Sequence, residues 1–176
     1  MDTEKFWTIV DQSRIAAGGE ADQQADALRV LLADRPAEEV REFHLLLVDA
    51  NQRIYTWEHG NAAELVFGYL GDDGWTDFRT WVIVHGRAPY ERYLADPDHL
   101  AVLLTPDFDD EEIGAAEEFG VVASQLYQQK TGTELWETDT PILEPDAKPT
   151  GVDARDDEAV LRRRYPALAA NFLASR

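Results

Sequence analysis

Apolar positions along this chain recur at helical spacing almost throughout. The clearest run is Val40, Phe43, Leu47, Ala50, Ile54 and Trp57, spaced 3, 4, 3, 4 and 3. That spacing keeps one side apolar for about five turns and predicts a helix over 36–56, the central member of a bundle. Pro36 suits its first turn, and Glu38 and Glu39 favour the positive end of its dipole. His44 lies one turn beyond Val40 and borders the seam, where a histidine is usually a hydrogen-bonded structural residue.

Shorter patterns flank this helix. Phe6, Ile9 and Val10 predict a helix over 3–17, capped by Asp2 or Thr3 and ended by Gly18-Gly19. Ala21, Ala25, Leu28 and Leu32 predict another over 20–33. Trp57-Glu58-His59-Gly60 reads as an interruption, after which Asn61 caps a helix over 61–69 with Leu65 and Val66 inward. Ile113, Ala116, Phe119, Ala123, Leu126 and Tyr127 form the buried stripe of a long helix over 109–130, closed by Gly132. The period then fades. Residues 133–156 contain Pro141, Pro145, Pro149 and Gly151, and predict an extended loop wrapped on the body through Leu135, Trp136, Ile142 and Leu143. The tail, 156–173, reads as two short helices broken at Tyr165-Pro166. The expected architecture is all-α: a single compact multi-helix domain over 1–176, with a long wrapping loop before a short C-terminal helical tail.

The stretch from Gly71 to Leu100 is the densest in distinctive residues. Gly71-Asp72-Asp73-Gly74 is a turn by composition, with Asp73 a candidate cap for a helix over 75–85. Trp75, Phe78, Trp81 and Val82 share one face of that helix, and His85 falls on the same face. Arg79 lies one turn beyond Trp75, where a guanidinium can stack on the indole. Trp81-Val82-Ile83-Val84 has local strand propensity, but the flanking period favours helix. Pro89 then suits the first turn of a short helix to Ala95, and Asp96-Pro97 starts another that carries Leu100, Leu103 and Leu104.

The run from Phe78 to Ala101 contains Phe78-Arg79-Thr80-Trp81, Gly86-Arg87, Tyr90-Glu91 and Ala95-Asp96-Pro97-Asp98, preceded by the Asp72-Asp73-Gly74-Trp75 turn. This pattern resembles the signature of a bacterial family catalogued as domain of unknown function 4240. Phe6-Trp7 near the start, and Leu161-Arg162-Arg163, Tyr165-Pro166 and Leu168 near the end, extend the similarity along nearly the whole chain. The chain departs from the pattern at His85, which stands where the family varies, and this weakens a functional reading of that histidine. The resemblance implies a shared helical domain and brings no reaction, cofactor or site residue with it.

Composition narrows the function classes. With no cysteine among 176 residues, disulfides, thiolate nucleophiles and cysteine-based zinc or iron–sulfur sites are excluded. No run of about 18 apolar residues predicts a membrane span, and the N-terminus lacks a signal-peptide pattern, so a cytoplasmic location is expected. Thirty-five acids against 16 bases give a net charge of −19. That charge opposes unaided binding to nucleic acid or anionic lipid. It is compatible with a basic protein partner, and also with plain solubility.

Two candidate sites stand out. Glu58, His59, Asp72, Asp73, Arg79 and His85 cluster in sequence around the Gly71–Gly74 turn, and such side chains can bind a divalent metal or exchange protons. Each also has a structural role to fill: Asp72 and Asp73 as turn and cap residues, His85 at a helix C-terminus. Their spacing matches no ligand motif. The chain has no phosphate loop, dinucleotide fingerprint or nucleophile elbow either, so no metal or cofactor is expected. The second candidate is the acidic face of the long helix, Asp109, Asp110, Glu111, Glu117 and Glu118, which reads as a docking surface for a basic protein or as a solvated face. Arg162-Arg163-Arg164 can pair with acids internally or contact a small anion. The sequence favours a non-enzymatic, acidic, helical protein-interaction domain. The alternative is a small-ligand-binding protein or enzyme with a His/carboxylate/Arg pocket around Gly71–Gly74.

Overall fold

The computed structural model describes residues 1–104, 108, 111–141 and 148–173. The helices are α1 (Thr3–Ala16), α2 (Ala21–Ala33), α3 (Ala37–Arg53), α4 (Trp57–Phe67), α5 (Asp72–Val84), α6 (Arg87–Ala95), α7 (Leu100–Leu103), α8 (Glu111–Thr131) and α9 (Glu158–Arg164). Short 3-10 turns at Pro97–His99 and Leu135–Glu137, a helical turn at Pro166–Leu168 and a π turn at Ala169–Leu173 complete the order. The fold is all-α. Among the described residues the one β feature is an isolated parallel bridge between Thr56 and Thr150.

Two helix starts differ from the sequence expectation. The chain does not break at Trp57–Gly60: Thr56 Oγ1 accepts the His59 N–H at 3.3 Å, so α4 begins at Trp57. Asn61 is therefore not a cap. It is buried inside α4, donating from Nδ2 to Val152 O at 2.9 Å and accepting the Ala154 N–H on Oδ1 at 3.1 Å. At α5 the cap position is Gly71, with no side-chain cap bond, and both Asp72 and Asp73 lie inside the first turn. There they face the positive end of the helix dipole, which favours carboxylates as a cap would. Helix α3 is also shorter than expected and ends at Arg53.

Helix α5 lies along α8 and also touches α1, α3 and α6, while α8 crosses α2 and α3. Its aromatic face is core, as its spacing predicts. Trp81 is fully buried, with Phe78 stacked 5.9 Å away and Phe78 in edge contact with Tyr93 at 6.0 Å. The α3 seam is buried from Val40 to Ile54, and Phe43 meets Phe6 and Phe119. Buried Tyr90 and Tyr93 satisfy their hydroxyls on carbonyls, donating to Ala50 O at 2.9 Å and His59 O at 3.0 Å. Gly60 lets α4 approach α5: a Cβ there would sit 2.2 Å from the Trp75 ring.

Beyond α8 the chain turns back over the helices. Leu135 is buried, Thr140 accepts from Arg41 Nε at 2.9 Å, and Pro141 O is 2.9 Å from His44 Nε2. Thr150 O then accepts the Trp57 N–H at 2.7 Å. Arg155 binds Glu64 at 3.1 Å and lies 4.5 Å over the Trp57 ring. Tyr165 donates to Glu58 O at 2.7 Å, and the Asp98 carboxylate accepts from Ala167 N and Leu168 N at 2.9 and 3.0 Å. One expected anchor of this wrap is not one: Trp136 is 67% exposed. Ile142 and Leu143 lie outside the described residues.

Candidate functional site

Helices α5 and α8 each carry a second stripe beside the buried one. On α5 it is Asp73, Thr76, Asp77 and Thr80; on α8 it is Glu117, Gly120, Val121 and Ser124. Both follow the spacing i, i+3, i+4, i+7, which puts four residues on one helical face. The two stripes border a cleft of about 370 Å³, completed by His44 of α3 and by Glu134, Leu135 and Trp136 of the returning chain. Buried His44, Thr76, Thr80, Gly120 and Leu135 form its base; exposed Asp73, Glu117 and Trp136 form its rim. No Lys or Arg lines it.

The hydroxyl protons of the cleft are already committed. Thr76 Oγ1 donates to Asp72 O at 3.2 Å, Thr80 Oγ1 to Thr76 O at 3.0 Å and Ser124 Oγ to Val121 O at 2.8 Å. Glu134 holds its turn in a reciprocal capping box with Glu137, and its carboxylate also accepts from Gln128. His44 is only 4% exposed. Burial pushes its pKa down, against the bond to Pro141 O, so the ring is neutral near pH 7. A carbonyl can only accept, so Nε2 carries the hydrogen and Nδ1 is a bare lone pair. That Nδ1 is buried and has no hydrogen-bond partner.

The residues singled out around the Gly71–Gly74 turn do not gather at this cleft. Only Asp73 lines it. Asp72 is exposed beside it, and His85 stands just past the far end of α5, about 18 Å along the helix from Asp73 and about 8 Å beyond Thr80 at 1.5 Å per residue. His85 Nδ1 is 2.8 Å from Trp81 O, and its ring packs 4.4 Å from that indole. Arg79 is 2% exposed and stacks on Tyr55 at 4.4 Å. It donates from Nε to Trp75 O at 3.0 Å and from Nη2 to Thr76 Oγ1 at 2.9 Å, so it braces the cleft wall from behind. His59 is buried, with Nδ1 2.8 Å from Thr56 Oγ1 and its ring in edge contact with Tyr93. Glu58 is exposed and contributes its backbone carbonyl to Tyr165. Burial depresses the pKa of both His59 and His85, as at His44. Among the described residues, no three His, Asp or Glu side chains come together as a metal site.

Of the acidic face on α8, Glu117 reaches the cleft rim, Glu118 is exposed beside it and Glu111 is exposed in the first turn. Asp109 and Asp110 lie outside the described residues. The cleft thus joins one residue from each sequence candidate, Asp73 and Glu117, with others that were not singled out: Thr76, Asp77, Thr80, Ser124 and Glu134. His44 appeared in the sequence only as a core residue. The signal that could have found the cleft is the repeated polar stripe on two helices. Aromatics dominate α5, and its polar face reads as solvent-facing until a partner helix is known.

No helix among the described residues is long and apolar enough to cross a membrane. No curated protein and no solved structure matches the chain. The family model described as Protein of unknown function (DUF4240) matches residues 1–129, from α1 into the last turns of α8. Those residues supply His44 and both polar stripes of the cleft, and over them the chain belongs to the DUF4240 family.

Proposed function

We propose that this chain is a non-enzymatic binding protein for a basic protein partner, which docks on the α5–α8 face and places one cationic side chain in the cleft. The observation that carries this reading is the lining itself: the carboxylates of Asp73, Asp77, Glu117 and Glu134 around a buried base of His44, Thr76, Thr80, Gly120 and Leu135, with no Lys or Arg in the lining. Clefts lined by one sign of charge with low-dielectric walls focus the field and concentrate the opposite charge. Trp136, exposed at the rim, offers an aromatic face to a guanidinium or ammonium. Glu118 extends the negative surface beyond the rim, where it would steer a basic segment toward the cleft. The reading treats 1–176 as one functional unit of a bacterial cytoplasmic protein, in keeping with a chain that has no cysteine.

The test is fluorescence anisotropy with a short labelled peptide containing Arg, its Lys counterpart and its Gln counterpart. The Arg and Lys peptides are expected to bind, with affinity falling as salt rises, and the Gln peptide is not. Asp73→Asn with Glu117→Gln should weaken the Arg peptide by about tenfold, as expected for loss of two charge-assisted contacts. Equal binding of the Gln peptide, or no binding of the Arg and Lys peptides, would remove this reading. If free methylguanidinium bound as tightly as the Arg peptide, the small-ligand alternative would replace the protein partner.

A further inference from the structure

The cleft presents hydrogen-bond acceptors and very little else. The protons of Thr76, Thr80 and Ser124 are spent on carbonyls of their own helices, so toward a ligand these hydroxyls can only accept, and Thr76 already accepts one bond from Arg79. The carboxylates accept only. His44 adds a neutral Nδ1 whose lone pair is buried and unpartnered, on a residue 96% removed from solvent that lines the cleft base. A buried acceptor left without a donor is costly and calls for an explanation; Asn51 Oδ1 and His59 Nε2 are also buried without a partner, but of these residues His44 alone lines the cleft. The complement of such a site is a group with donors and no acceptors. Guanidinium, with five N–H bonds, and primary ammonium, with three, are the side-chain cations of that kind with the most donors; imidazolium has two.

We propose that His44 Nδ1 accepts an N–H from the bound cation, so that the cleft selects guanidinium and primary ammonium groups over quaternary ammonium of the same charge. This rests on the cation-binding reading above and goes beyond it. Carboxylates and an exposed indole attract any cation, including tetraalkylammonium. His44 is what gives the cleft a preference among them. The Pro141 carbonyl fixes that preference by holding the hydrogen on Nε2. The wrapping segment therefore sets the tautomer of a ring on α3.

The experiment compares methylguanidinium with tetramethylammonium on the full chain by NMR titration. Wild type should bind methylguanidinium at least about tenfold more tightly, the usual worth of a hydrogen bond with one charged partner. The 15N resonance of His44 Nδ1 should move on adding methylguanidinium and stay in place with tetramethylammonium. In His44→Phe the preference should fall to within about twofold, with tetramethylammonium affinity retained. His44→Asn, which offers an amide oxygen in place of Nδ1, should regain part of it. Equal affinities in wild type, or an unmoved His44 Nδ1, would overturn the role of His44 while leaving cation binding in place. If neither probe bound, the cation reading would fall, and this inference with it. The wild-type comparison and the 15N shift need no variant, so a poorly folded His44→Phe would not blunt the test.

Discussion

At Gly60 a single hydrogen atom decides how closely two helices meet. A methyl group there would collide with the Trp75 ring at 2.2 Å, and that ring is wedged between Tyr55 and Trp57 in edge contacts of 5.6 and 5.3 Å. Gly60→Ala should therefore destabilise the fold by about 1–3 kcal/mol in denaturant titration, despite the better helix propensity of alanine. A neutral or stabilising result would mean that α4 is free to move off α5. Trp81, 0% exposed, should cost about 3–5 kcal/mol as Trp81→Ala. Buried His44 and His59 and half-buried His85 predict a pH dependence. Burial holds His44, His59 and His85 below the ordinary 6.5, so the unfolded chain binds protons at a pH where the folded chain does not. Stability from this source is complete above the unfolded value and is lost as the pH falls below it toward the folded values. Each histidine adds a slope of up to about 1.4 kcal/mol per pH unit in that window. Melting temperature should decline from about pH 6.5 downward, before the carboxylates of Glu39 and Asp153 titrate, since their hydrogen bonds to Lys5 and Arg155 hold those below the ordinary carboxylate range. A melting temperature unchanged from neutral pH to about 5 would contradict the burial of these rings.

At the scale of elements, α5 explains what the sequence could and could not convey. Its Trp75, Phe78, Trp81 and Val82 stripe is a local pattern, and all four are buried. Its other stripe acquires meaning only when α8 lies against it with a matching face, a long-range fact that no single-helix period encodes. The start of α4 was hidden for the same reason. Asn61 looks like a cap, yet its amide closes bonds to Val152 and Ala154, some ninety positions on. Thr56 held the true cap signal. Arg79 was legible as a stacked guanidinium; its contact with Tyr55, two residues past the end of α3, joins two elements and is not written in the local spacing. On α8, Glu117 and Glu118 are both exposed well past the first turn, where the helix dipole no longer favours them. Glu117→Lys with Glu118→Lys should shift stability by no more than about 0.5 kcal/mol. The same double variant should lose the Arg peptide, because it puts cations at the rim. Unchanged peptide binding, with folding intact, would return this face to plain solvation.

Across the whole molecule, the family-matched helices and the segment beyond residue 129 depend on one another. The returning chain supplies Glu134, Leu135 and Trp136 to the cleft, ties His44 through Pro141 and is pinned at its far end by Arg155. Glu64 receives Arg155 and also the Trp75 Nε1–H at 3.1 Å, with its side chain only 7% exposed. Arg155→Ala should cost about 1–3 kcal/mol by leaving that acceptor short of a donor, and hydrogen exchange should rise around Thr150–Ala154. Composition and Pro spacing foretold a wrap, seen at 133–141 and 148–156, but not which side chains held it: Trp136, the most core-like residue by type, faces solvent. The proposed function puts this exposed indole at the mouth of a cation-binding cleft. The most direct measurement is a 1H–15N titration of the full chain with the Arg peptide, following the Trp136 indole resonance. A saturable shift of that resonance is expected together with backbone resonances of 73–80 and 117–124, absent with the Gln peptide and needing about tenfold more Arg peptide to saturate in Asp73→Asn with Glu117→Gln. A Trp136 resonance that stays fixed while the peptide saturates elsewhere, or no saturation at all, would contradict it.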